Sequence, residues 1–223
     1  DEDILDITIR AAKQMDYPKE KLHIHLLDDG GTDQKINQEN QDAAAAALAR
    51  RQSLQALCDA LGVTYHTREK NEFAKAGNVN SAIQNTQGDL IVILDADHVP
   101  TSDFLSRTVP WMIKKENVFL VQTPHFMANP DPVERNYFSA FTRMPSENDM
   151  FYGTIQKGLD YWSSSFFCGS AALMRRAHLD LVGGISGDSI TEDAETALDL
   201  HKMGYESVYV DRPMVSGLAP ETF

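Results

Sequence analysis

Apolar and polar positions alternate between two periods along this chain. Residues 3–15 spread Ile4, Leu5, Ile7, Ile9 and Ala12 over one broad side, which predicts a helix. "KLHIHLLDD" at 21–29 reads as a strand that runs into the turn "DDGGTD". Residues 41–61 form the longest helical stretch, closed by Gly62. "VTYHT" at 63–67 is a short strand rich in β-branched residues. A helix is expected near 76–86, a strand at 89–95, a helix near 102–116 and a strand at 118–124. Two helical segments should fill 131–161, and "SFFCGSAALMRR" contains a further strand. A helix at 191–205 and the strand "SVYVDRP" complete the series.

Strands separated by helices predict an α/β fold, with a mixed, mostly parallel, Rossmann-like sheet flanked by helices. In such sheets ligands bind beyond the carboxyl ends of the strands. Three acidic clusters fall at strand ends or turns: Asp28–Asp29, Asp95–Asp97 and Glu192–Asp193. "NPDPVERN" at 129–136 is the clearest punctuation and marks an expected change of sub-layer.

Composition narrows the partners. The 223 residues allow one large domain or two small ones, and no stretch approaches a membrane span. A net charge of −13 argues against a bulk nucleic-acid binder, so an anionic ligand would need a local cation. Cys58 and Cys168 fit neither a zinc nor a redox spacing, which favours a reduced, cytosolic setting.

The run "DLIVILDADHVP" delivers Asp95 and Asp97 to the end of an apolar strand, with His98 following. Residues i and i+2 of a strand share a side, so the two carboxylates can address one point. A divalent cation bridging them to a diphosphate would cancel their repulsion. Solvation of a plain turn explains the same pair equally simply. Asp28 and Asp29 enter a glycine turn where the backbone can approach a ligand, or where Asp-Gly merely turns. Lys75 of "FAKAGNVNSAI" stands at a helix start, suited to a phosphate or simply solvated. In "SITEDAE", Ser189 and Glu192 have capping-box spacing, while Asp193 could serve as a general base. "FFCGS" at 166–170 is either core or the floor beneath a sugar ring, and Cys168 has no nucleophile's partner in sequence. "HIH" at 23–25 puts two histidines on one strand face, with no third metal ligand suggested.

With "DDG", "KAGN", "DAD", "FFCGS" and "TED" in this order, the chain resembles the family-2 glycosyltransferases. Within them it is most similar to the catalytic domains of bacterial cellulose synthases. "QTPHFMANPDPVERN", "ENDMFYG" and "GLAPETF" extend the likeness over essentially the whole chain. The resemblance implies a glycosyltransferase A-type fold over residues 1–223, with donor binding mainly in 1–128 and acceptor and base mainly in 129–223. It implies processive, inverting transfer of glucose from UDP-glucose to the 4-hydroxyl of a β-1,4-glucan acceptor. Asp28, Asp29, Lys75, Asp95 and Asp97 would surround the nucleotide sugar. Asp95, Asp97 and His98 would hold Mg²⁺, with Mn²⁺ as the alternative. Asp193 would be the base, and Tyr152, Phe167, Cys168, Gly169 and Glu192 would receive the acceptor.

The same resemblance implies an excerpt of a larger enzyme at the cytosolic face of the bacterial inner membrane. A periplasmic cellulose synthase subunit, and cyclic-di-GMP bound through a domain outside this chain, would be its partners. Phe73 stands where the family often has histidine, and the downstream "QxxRW" block is absent. The excerpt alone is therefore expected to be poorly active. A rival reading takes "DADHV" as the motif of haloacid-dehalogenase-like phosphatases, with Asp95 as the phosphorylated nucleophile. A sugar- or nucleotide-binding module without activity is a second rival, and a related synthase of another β-linked polysaccharide a third.

Overall fold

The computed structural model describes residues 2–129, 147–187 and 191–219. Its first half alternates helices and strands as the periodicity predicts. Helix α1 is Glu2–Lys13, α2 is Asp33–Ile36, α3 is Gln41–Leu61, α4 is Ala74–Gln84 and α5 is Phe104–Lys114. Strands β1 (His25–Leu27), β2 (Thr64–His66), β3 (Leu90–Ile93), β4 (Val99–Pro100), β5 (Val118–Gln122) and β6 (His125–Met127) intervene. The boundaries of α3 follow local chemistry. The Asn40 side chain accepts from Ala43 N at 3.1 Å, and Gly62 ends the helix at φ +63°, where other residues are strained. Capping-box Ser189 and most of the 129–136 punctuation lie outside the described residues.

In the second half, a short helix (Glu147–Met150) passes through a π-helical stretch (Phe151–Gln156) into another short helix (Lys157–Asp160). Strand β7 (Ala172–Arg175), the helix Arg176–Leu181, the helix Glu192–Lys202, β8 (Glu206–Tyr209) and β9 (Val215–Gly217) follow.

The central sheet has the order β3-β7-β5-β8. Strand β7 runs antiparallel to both β3 and β5, whereas β5 and β8 are parallel. The expectation of mostly parallel pairing is thus corrected. Strand β7 comes from late in the chain and inserts between two early strands, an order that no local pattern encodes. Strands β1 and β2 form a separate parallel pair, and β4, β9 and β6 a small third sheet. The strands of that third sheet are two or three residues long, too short to show a period.

The sheet buries apolar side chains on both faces. Along β7, Ala172 and Met174 join the cluster beneath α4 and the helix Glu192–Lys202, while Leu173 joins the cluster beneath α5. This is the period of a strand covered on both sides. On β5 the alternation slips: Phe119 and Leu120 face one cluster, Val118 and Val121 the other. The register shift between Val118 and Leu120 accounts for it, since a bulge adds one residue to one strand.

Candidate active site

The carboxyl end of β3 carries Asp95 and Asp97. The Thr8 hydroxyl donates to Ala96 O at 2.8 Å and so ties this turn to α1. Asp95 pairs with Lys75 at the start of α4. Its backbone N–H donates to Ser170 Oγ at 2.9 Å, and the same hydroxyl meets His98 Nδ1 at 2.7 Å. Asp97 Oδ2 accepts from Leu218 N at 3.3 Å, so the segment after β9 closes over the turn.

Lys75 reaches its place through a strained helix start. Phe73 and Ala74 both have positive φ, +57° and +41°. Arg68 braces them: its guanidinium grips both oxygens of Asp29, at 2.7 and 2.8 Å, and donates to Ala74 O. Gly77 is obligatory, because a Cβ there would lie 2.0 Å from Glu72 O. Arg68 thereby joins the "DDG" turn to the "KAGN" helix.

Asp28 has a different role from the exposed carboxylates. It is 2% exposed, and its oxygens accept from Gly30 N at 2.9 Å, Tyr65 Oη at 2.9 Å and Arg50 Nε at 3.0 Å. Asp28→Ala strands the Tyr65 hydroxyl and the Gly30 N–H. An unmet buried group costs about 1–3 kcal/mol, so the midpoint of denaturant unfolding should fall accordingly. The partly exposed Arg50 adds little. An unchanged midpoint would mean that Asp28 does not hold this turn.

The residues expected on the acceptor side include Gly169, which Asp193 and Lys75 approach. Gly169 has φ +78°, and a methyl group added there would lie 3.6 Å from Asp193 Oδ2 and 3.7 Å from Lys75 Nζ. A small cavity is lined by Lys75, Phe167, Gly169, Ile185 and Glu192. Asp193 lies in the first turn of the helix Glu192–Lys202, and its Oδ1 accepts from Ala194 N at 2.8 Å. Burial above all, then the neighbouring Glu192, raises its pKa. The Ala194 N–H and Lys75 pull in the opposite direction.

Tyr152 lies in the π-helical stretch, a local irregularity often found at functional sites. Its hydroxyl contacts His125 Nδ1 at 2.8 Å, while His125 Nε2 contacts Ser170 O at 3.1 Å. Because a carbonyl can only accept, Nε2 carries the proton and Nδ1 receives the one from Tyr152. Burial drives the His125 pKa down to about 4. Burial also pushes the Cys168 thiol far up, with Asp193 adding to the effect, so this sulfur is a thiol at neutral pH and no nucleophile.

Burial also lowers the pKa of His25, His66, His98 and His178. A depressed pKa means that folding favours the neutral ring. That stability is complete above the unfolded value of about 6.5 and is lost as pH falls, for His125 down to about 4. Asp193, raised, acts in the opposite sense at the low end but is one group against five. The melting temperature should therefore drop between pH 6.5 and 4, and a flat profile would contradict these burials.

Two further expected site residues are buried. The Phe167 ring is 2% exposed, packs in the core and lines the small cavity beside Lys75 and Glu192. His98 is 5% exposed, with Nδ1 taken by Ser170. Among the described residues no three His, Cys, Asp or Glu side chains are arranged to hold a metal ion. The two partly exposed carboxylates alone still suit a hard cation that takes its other ligands from phosphate and water. His25 meets His66 at 2.8 Å, ring nitrogen to ring nitrogen. Sequence reasoning missed Gln122, His125, Ser170 and Arg68 as supports. Gln122 carried a signal: an amide inside the apolar run "VFLVQ" must find buried partners.

Comparison with known proteins gives the chain's family and fold. The description Glycosyl transferase family 2 matches residues 1–183. The cellulose synthase catalytic subunit (UDP-forming) of Pseudomonas fluorescens is 42% identical over 219 residues, covering 98% of this chain and 27% of that protein. Cellulose synthase 1 of Komagataeibacter xylinus is 41% identical over 218 residues, 98% of this chain and 13% of that protein. The chain thus spans about a quarter or less of the length of these curated relatives. Among solved structures, a Pyrobaculum calidifontis mannosyltransferase in complex with GDP-Man and Mn²⁺ superposes with a TM-score of 0.63 at 20% identity, over 99% of this chain and 54% of that one. Staphylococcus aureus TarS with UDP-GlcNAc gives 0.62 at 14% identity, over 97% and 55%. These neighbours share the glycosyltransferase A-type fold. The family match leaves the phosphatase reading of Asp95 without support. The chain belongs to glycosyl transferase family 2.

Proposed function

We propose that the chain is the catalytic domain of a longer cellulose synthase and transfers glucose from UDP-glucose to the 4-hydroxyl of a β-1,4-glucan. The observation that carries this reading is the convergence at Gly169, where Lys75, paired to Asp95, and Asp193 approach the same glycine from two elements. The likeness over 98% of the chain to a UDP-forming cellulose synthase subunit supports a UDP-sugar donor and a cellulose product.

Residues 1–128 mainly hold the donor. Asp28 keeps the 28–31 turn in shape, and Asp29 acts through Arg68 on the start of α4. Lys75 leaves Asp95 for the diphosphate when donor binds, and its charge offsets that of the departing UDP. Asp95 and Asp97 would hold a divalent cation, Mg²⁺ or Mn²⁺, whose charge would offset that of the leaving diphosphate. Residues 129–223 mainly hold the acceptor on Tyr152, Cys168, Gly169 and Glu192. Positioning there lowers the entropic barrier.

Asp193 takes the proton of the acceptor hydroxyl as that oxygen bonds to the anomeric carbon. The bond from that carbon to the phosphate oxygen breaks, and UDP leaves with the electron pair. A raised pKa makes Asp193 a better base than an ordinary aspartate. Among the described residues no helix is long and apolar enough to cross a membrane. The resemblance to bacterial cellulose synthases motivates placing the domain on the cytosolic face of the inner membrane. A periplasmic subunit and cyclic-di-GMP would be partners of the longer protein.

The test is product analysis of that longer protein with UDP-glucose and Mg²⁺. Polymer cut by a β-1,4-specific glucanase supports the reading. Polymer resistant to it and cut by another linkage-specific enzyme assigns a different β-glucan, and no polymer overturns the reading.

A further inference from the structure

The turn at residues 168–170 is unusual in what supports it. Gly169 is left-handed at φ +78°, and Ala171, which has a Cβ, is left-handed at +53°. Gly169 adopts its angle freely, whereas Ala171 stores strain that the surroundings must hold. The support is Gln122, the last residue of β5 and fully buried. Its Oε1 accepts from Cys168 N at 3.0 Å, and its Nε2 donates to Ser170 O at 2.9 Å. One amide therefore brackets Gly169 from both sides. Ser170, fixed in this way, accepts from Asp95 N and meets His98. The bracketed glycine faces Lys75 and Asp193.

We propose that Gln122 is a positioning residue for the transfer: it fixes the Cys168–Ser170 turn so that acceptor and donor meet in register. This inference rests on the reading above and adds a residue that touches neither sugar nor nucleotide. It acts from the central sheet, where a rigid strand locates a neighbouring turn better than a loop could. A merely structural glutamine would support folding alone. A positioning glutamine decides whether the activated glucose reaches the sugar hydroxyl or water, because water needs no acceptor floor.

The test uses Gln122→Met in the longer synthase, with UDP release and glucose incorporation measured on the same sample. Their ratio does not depend on how much of the protein folds. Wild type should release one UDP per glucose incorporated. In the variant, incorporation should fall by roughly 100-fold, the cost of a displacement near 1 Å, while release to water persists and the ratio rises. Should the Met variant yield no folded protein, Gln122→Glu, which keeps the acceptor for Cys168 N, is read by the same ratio. A ratio unchanged from wild type, whether both rates fall together or neither falls, overturns the proposal. Wild-type protein that incorporates no glucose removes the functional reading itself, a separate outcome.

Discussion

Asp193→Asn should lower glucan synthesis by roughly 10²–10⁴-fold, the usual worth of a positioned general base, while UDP binding persists. The amide keeps the shape, and its carbonyl still accepts from Ala194 N, so the helix start survives. What is lost is the ability to take a proton. Isothermal titration with UDP separates the two effects. Wild-type turnover by this variant would remove Asp193 from the role. The pH dependence follows from the same group. A base must be deprotonated to act, and its pKa lies above the ordinary aspartate range, chiefly through burial. The acid limb of the rate profile should therefore fall at a higher pH than an exposed aspartate would give.

Asp95→Asn should lower the rate by about 10²–10³-fold, as expected when one preorganised electrostatic partner of the leaving group is removed. Here the loss should appear in binding as well. The substitution removes one of two carboxylates from the cation and deprives Lys75 of its partner. The backbone N–H of residue 95 still donates to Ser170, so the turn itself stays in place. The strengthening of UDP binding by Mn²⁺ should disappear in this variant and persist in Asp193→Asn. If Mn²⁺ strengthens UDP binding equally in wild type and Asp95→Asn, the cation lies elsewhere.

Much of this site was legible because short-range physics fixes it. Five apolar residues before Asp95 predict a strand, which forms as half-buried β3 at the sheet's edge, and a strand that ends there must present its next residues at the sheet's rim. The limits of α3 were written in Asn40 and Gly62. The functional blocks were legible through their order, which set the family likeness. What stayed hidden depends on partners distant in the chain. The insertion of β7 between β3 and β5 reverses the pairing on both sides. Whether Phe167 faces a sugar or the core depends on Val79, Leu179 and Leu200, which no window around "FFCGS" contains. His98 looked open to a metal, but Ser170 and Gly217, 72 and more residues later, pack around it and leave it 5% exposed. The support by Gln122 and His125 is of the same kind: the residues were visible, but their partners lie more than 40 positions away.

The most direct test is diffraction from crystals of the chain grown with UDP and Mn²⁺. The account predicts an anomalous peak between the carboxylates of Asp95 and Asp97, with the diphosphate lying toward Lys75 and the Asp193 carboxylate across the same cleft. Nucleotide and Mn²⁺ bound together away from Asp95 and Asp97, with Asp193 facing neither, would contradict it.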